Sequence, residues 1–216
     1  MKKKLESTLK NMVIVLTGTA ILTGAVLALV NRVTEKEIAN QAENEKREAV
    51  YAALGTTDDI ITIAEPENIE QIVNGKKLDF EVYRATYKDG KNYGVAVKSI
   101  TQGFGGDLSV MVGFDTEGNI VSYRVLKHSE TPGLGAKIGE WFQKGQKGDI
   151  TGKKAGDLTV SKDGGDVDAI TASTITSRAF LRAVNQAYNA YASKEKDMAT
   201  DTSDVHTGAS AQKQNK

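Results

Sequence analysis

The chain has 216 residues, room for one globular domain of ordinary size plus an anchor and a tail, and its 28 Lys and Arg balance 28 Asp and Glu. With no net field and no basic stripe interleaved with aromatic residues, nucleic acid is excluded as the expected partner. The lack of cysteine excludes disulfides, thiolate-bound iron–sulfur clusters, cysteine-ligated zinc and a thiol nucleophile; two histidines cannot build a site of three, so any redox chemistry points to an organic cofactor and no metal site is expected.

Residues 1–11 carry Lys2, Lys3, Lys4 and Lys10, and an uncharged run of 19 residues follows from Met12 to Val30. As a helix that run reaches roughly 28 Å, enough to cross a bilayer. The lysines before it, against a mixture of Arg32, Glu35, Lys36 and Glu37 after it, predict a cytoplasmic N-terminus and an extracytoplasmic remainder. A cleaved signal peptide ending at Val26-Leu27-Ala28 is the competing reading. The apolar run is longer than such peptides use and continues past that point. Small residues such as Gly18 and Gly24 suit packing against other membrane helices.

Residues 31–54 are charged, with Ile38, Ala42, Ala49, Val50 and Ala53 near helical spacing, and are read as a solvated helical stalk. Residues 55–192 form the expected α+β domain, an antiparallel sheet packed with helices. One hairpin pairs Phe80–Tyr87 with Tyr93–Ser99 around Lys88-Asp89-Gly90-Lys91. A second pairs Leu108–Phe114 with Ile120–Lys127 around Asp115-Thr116-Glu117-Gly118-Asn119. Val95, Val97, Val110, Val112, Val121, Tyr123 and Val125 supply the alternating face that needs cover. The best cover is a helix over Arg178–Ala192, where Leu181, Val184, Tyr188 and Tyr191 share one side. Residues 193–216 are polar, free of aromatics and unpatterned, which predicts a disordered, dispensable tail.

Three loops stand out. Gly103-Phe104-Gly105-Gly106-Asp107, between the hairpins, looks like a phosphate cradle, but Leu108 breaks the dinucleotide fingerprint and no Gly-Lys-Ser/Thr follows. It is read as a flexible loop offering Phe104 for packing, with Asp107 as a turn cap. Glu130-Thr131-Pro132-Gly133-Leu134-Gly135 precedes a short helical pattern over Ala136–Gln143. Pro132 and Gly133 fit the middle of a type II turn, a tight connection that leaves Gly135 and Glu130 unexplained; Gly135 allows a planar ligand or phosphate to approach the backbone closely. His128 is read as a polar strand end. Asp168-Ala169-Ile170-Thr171-Ala172-Ser173-Thr174-Ile175-Thr176-Ser177 places five hydroxyls in seven positions just before the amphipathic helix. One cap needs a single hydroxyl, so local physics leaves a cap and a ligand site both open.

The last segment resembles the Asp-x-x-Ser/Thr-Gly-Ala-Thr-x-Ser/Thr pattern of the FMN-binding domain family, in which the final Thr of the core tetrad bears FMN through a phosphoester. Asp168 matches the acidic start, Thr171 the Ser/Thr, Thr174 the flavin-bearing Thr and Thr176 the closing hydroxyl. Ala172 stands where the family has Gly and Ser173 where it has Ala. If that Gly needs a positive φ, Ala172 hinders modification. The Glu130–Gly135 loop resembles the family in order and distance. Within the family the chain resembles two branches, the G subunits of Rnf-type ferredoxin:NAD oxidoreductases and the C subunits of sodium-pumping NADH:quinone oxidoreductases. Its compact length and His128-Ser129-Glu130 favour the first.

The resemblance implies covalent FMN on Thr174, added from FAD by a separate flavin transferase. It implies cofactor contacts from Glu130, Thr131, Pro132, Gly133, Leu134, Gly135, Thr171, Ala172 and Ser173, and Phe104 nearby. It further implies a single-pass flavoprotein of the bacterial inner membrane, its FMN domain on the periplasmic side. Such a protein relays electrons between neighbouring subunits of an ion-translocating complex, with no catalytic acid or base and no activity alone. The alternatives are the equivalent quinone-reductase component and a membrane-tethered binding or scaffold module without redox function.

Overall fold

The computed structural model describes residues 8–73 and 75–204, with side chains through Ser193. It divides into two compact units, Met1–Lys46 and Arg47–Lys216. Helix α1, Leu9–Leu54, supplies the described part of the first. It is long and apolar enough to cross a membrane by length and composition. Its apolar side chains, among them Ile14, Leu16, Leu22 and Leu27, are exposed. The Thr19, Thr23 and Thr34 hydroxyls donate to the carbonyls of Val15, Thr19 and Val30 at 3.0, 2.8 and 2.9 Å, so no hydroxyl of these three is left bare on an apolar surface.

In the second unit, β1 (Ile61–Ile63), β2 (Glu67–Val73), β3 (Lys76–Tyr87), β4 (Asn92–Gln102), β5 (Asp107–Asp115) and β6 (Ile120–Lys127) form one antiparallel sheet of order β1-β3-β4-β5-β6, β2 also pairing with β3. The four longest strands are those the alternation predicts. Strands β1 and β2 escape it because they are short and half solvated, so their sequences carry no clean period. The register Val97↔Val112 and Val112↔Tyr123 stacks the expected apolar face. Val121 leaves that face: the ladder passes from Gly113↔Ser122 to Phe114↔Ile120, so Val121 is the extra residue of a bulge and Ile120 enters the core in its place.

Helix α3, Thr174–Asp204, lies across this face. Phe180, Leu181, Val184, Ala187 and Tyr191 meet Val95, Val97, Val112, Phe114 and Tyr123 in one core. The helix is longer than predicted at both ends; residues 193–204, read from the sequence as tail, continue it, and 205–216 lie outside the described residues. The opposite face of the sheet is covered by the end of α1. Ala49, Val50, Ala53 and Leu54 are buried against Tyr83, Ala85, Ala96 and Met111. Where a solvated stalk is expected, Ala49, Val50, Ala53 and Leu54 are therefore core, while Arg47, Glu48 and Ala52 stay exposed. Gly113 makes this possible, since a Cβ there would stand 2.2 Å from the Ala53 carbonyl oxygen.

Candidate functional site

Between β6 and α3 the chain runs through a 3-10 turn, Gly135–Lys137, into the one-turn helix α2, Ile138–Trp141. Tyr123 anchors this piece to the sheet. Its buried hydroxyl donates to the Ile138 carbonyl at 2.5 Å and accepts from the Phe142 N–H at 3.2 Å, and burial pushes its ionisation well above the usual phenol value. Phe142 stacks on Phe180 of α3 with ring centres 4.5 Å apart. The Trp141 indole then donates to the Asp168 carbonyl at 2.8 Å. These contacts bring the Glu130–Gly135 loop against the hydroxyl-rich segment, although the two are far apart in sequence.

Glu130 completes the junction. It is 5% exposed. The N–H groups of Phe104 and Gly105 donate to its Oε1 at 2.8 and 3.2 Å, and the Thr176 hydroxyl donates to Oε2 at 2.7 Å. The loop from Gly103 is thus an anion cradle, and the anion it holds is a carboxylate of the same chain. Its glycines are needed for that closeness: a Cβ on Gly103 would lie 2.2 Å from Glu130 Oε1, and one on Gly105 2.1 Å from the Ser129 carbonyl oxygen. The same holds for Gly135, whose Cβ would meet Glu130 Oε2 at 2.6 Å and Thr176 Oγ1 at 2.9 Å. The space at Gly135 is filled by these two side chains, so tight packing accounts for it. Thr131-Pro132-Gly133-Leu134 forms the expected turn, with Gly133 at φ +76° and the Leu134 N–H donating to the Thr131 carbonyl at 3.2 Å.

A cavity of about 320 Å³ opens over this junction. Glu130, Thr131, Leu134 and Gly135 form one side; Ala172, Ser173, Thr174, Ile175 and Thr176 form the other, and Phe104 stands at its edge. Pro132, Gly133 and Thr171 are exposed and do not line it. Sequence reading missed Ile175, which looks like an ordinary helix residue until the fold leaves it 55% exposed, with Phe104 and Leu134 also exposed. Three exposed apolar side chains around one opening are unusual on a soluble surface and suit a flat, apolar ligand. The cavity falls within the size range of small-molecule sites. Thr174, the first residue of α3, lines it, and the Lys162 ammonium donates to its Oγ1 at 3.3 Å. An aromatic ring system carrying a phosphate fits this set of apolar walls, hydroxyl and cation.

The hydroxyls divide by partner. Ser177 Oγ accepts from the Ile170 N–H and donates to the Ser173 carbonyl, both at 3.0 Å, closing the turn before the helix. Thr176 serves Glu130. Thr174 lines the cavity with its hydroxyl bonded neither to the backbone nor to Glu130. Ala172 lies at φ +62°, the one positive-φ residue other than glycine among the described residues. The position that carries glycine in the resembled pattern is thus a left-handed one, and this chain fills it with alanine.

Residues 103–189 match the family model of the FMN-binding domain. The G subunit of the ion-translocating oxidoreductase complex of Vibrio parahaemolyticus is 32% identical over 190 residues, covering 82% of this chain and 86% of the relative. Its counterpart in Yersinia pestis is 33% identical over 168 residues, 74% of this chain and 79% of the relative. Among solved structures, NqrC of Shewanella oneidensis superposes with a TM-score of 0.52 at 19% identity, covering 69% of this chain and 93% of that one. The C subunit of the Na(+)-translocating NADH-quinone reductase of Parabacteroides distasonis does so with a TM-score of 0.50 at 19% identity, covering 73% and 94%. These two establish likeness of fold. The first two establish kinship: the chain belongs to the family of G subunits of ion-translocating oxidoreductase complexes, with an FMN-binding domain over residues 103–189.

Proposed function

We propose that the chain is a membrane-anchored flavoprotein subunit that carries FMN on Thr174 and relays electrons within an Rnf-type complex. The observation that carries this reading is the placement of Thr174 in the wall of a cavity edged by Phe104, Leu134 and Ile175. FMN, when bound, supplies one- and two-electron transfer. The chain's own residues hold and shield it. Thr174 offers the oxygen for a phosphoester, the apolar side chains cover the ring, and Glu130 locks the two walls together through Phe104, Gly105 and Thr176. No proton donor is required of them, because electron relay breaks no bond in a substrate. Maturation by a flavin transferase and contact with the neighbouring subunits belong to the same proposal, as does an extracytoplasmic location set by the lysines before Met12.

Full-length protein expressed with a flavin transferase is expected to give a fluorescent band on a denaturing gel and an intact mass increased by one FMN less one water. Thr174→Ala is expected to lose both. A fluorescent band in Thr174→Ala, or none in the wild type, would refute the attachment.

A further inference from the structure

The 3-10 turn Ser161–Asp163 presents Lys162 to the start of α3, where its Nζ donates to Thr174 Oγ1 at 3.3 Å. The neighbouring carboxylates are engaged elsewhere. Asp163 accepts two bonds from the Arg178 guanidinium, both at 2.7 Å, Asp166 pairs with Lys153, and Asp168 accepts from the Ser161 hydroxyl at 2.8 Å. Lys162, among the described residues, therefore has a neutral hydroxyl for a partner and no carboxylate. An ammonium has three donors and a full charge, and a hydroxyl uses one donor and none of the charge. The Asp163–Arg178 fork fixes this arrangement: it ties the residue next to Lys162 to the helix one turn beyond Thr174.

Resting on the reading of Thr174 as the attachment point, we propose that Lys162 is the phosphate-binding residue of the site: it orients Thr174 Oγ for attachment and then pairs with the phosphodiester. By donating to one lone pair of Oγ, Lys162 turns the hydroxyl proton away from itself. In the transfer, the Thr174 Oγ–P bond forms and the P–O bond inside the FAD pyrophosphate breaks. AMP leaves with the bridging oxygen and its bonding pair and takes up the hydroxyl proton, and no oxidation state changes. The product is a phosphodiester whose single negative charge is shared by the two non-bridging oxygens on the phosphorus, one bond from the Thr174 Oγ that Lys162 touches.

The test uses full-length protein, FAD and a purified flavin transferase, with Lys162→Ala, Lys162→Arg and Thr174→Ala beside the wild type. The initial rate of labelling is read from flavin fluorescence in a denaturing gel, and the loaded proteins are compared by ³¹P NMR. Lys162→Ala is expected to slow labelling about fivefold, the scale of an exposed ion pair, and to shift the phosphodiester resonance. Lys162→Arg is expected to restore both, and thermal melting of the two variants is expected to match the wild type. Labelling of Lys162→Ala at the wild-type rate with an unshifted resonance would overturn the role of Lys162 alone. Labelling that persists in Thr174→Ala would overturn the attachment reading and this one with it.

Discussion

Ala172 shows how a single residue can work against the site it belongs to. At φ +62° an alanine is strained by contact between Cβ and the backbone, at a cost of about 1–2 kcal/mol that glycine avoids. The strain is tolerated because both flanks are fixed, Ile170 by the Ser177 hydroxyl and Ser173 by its own N–H bond to the Ile170 carbonyl. Ala172→Gly is therefore expected to stabilise the protein by about 1 kcal/mol, less the extra freedom it gives the unfolded chain, seen as a higher urea midpoint. An unchanged or lower midpoint would contradict the strain. Motif comparison could flag this position as a departure; the backbone angle explains why the departure matters. Glu130 is the opposite case. The resemblance implies a cofactor contact from Glu130, which lines the cavity; its carboxylate accepts from the protein's own N–H and O–H groups, whose residues lie in the β4–β5 loop and in α3.

At the scale of elements, the β5–β6 turn is local enough to be read directly. Asp115 caps it, accepting from the N–H groups of Glu117 and Asn119 at 2.9 and 2.8 Å and from the Asn119 amide at 2.9 Å. Burial pushes the Asp115 carboxyl up, but these donors outweigh it and hold it below the ordinary value of 3.8. A carboxyl depressed in the folded state stabilises the fold above its unfolded value and loses that contribution as pH falls through the folded one. Asp115→Ala is expected to cost about 1 kcal/mol at neutral pH, with the gap from wild type closing as the pH is taken below about 3.8 in urea titrations. A gap independent of pH would show that the cap does not depend on the charge. The bulge at Val121 was not legible in the same way, since the alternation in β6 looks unbroken until the partner strand sets the register.

At the scale of the molecule, α1 is shared between the two units, and the boundary matters for what can be removed. A chain starting at Arg47 keeps Ala49, Val50, Ala53 and Leu54 on the sheet, whereas one starting at Gly55 removes all four from the core. The first is expected to give a soluble protein with a cooperative thermal transition. The second is expected to lose several kcal/mol, each large buried aliphatic side chain being worth about 1.5–3, and to aggregate or melt far lower. Equal melting of the two would return residues 47–54 to the role of a stalk. Orientation in the membrane is tested separately. A reporter active only outside the cytoplasm, fused after Ala192, is expected to be active, and activity of a cytoplasm-only reporter at the same position would reverse the topology.

The sequence by itself determined the apolar span, the two hairpins, the amphipathic helix and the hydroxyl cluster with its flavin motif, because each depends on periodicity or spacing within a short window. It could not place Glu130 in the grip of Gly103–Gly105 and Thr176, bring Lys162 to Thr174, or turn Val121 out of the core. Those depend on registers and contacts between segments that meet only after the sheet has formed. Tertiary structure also decided that the end of α1 is core: Gly94 and Gly113 leave the hollow it fills, and a Cβ at either would collide with backbone.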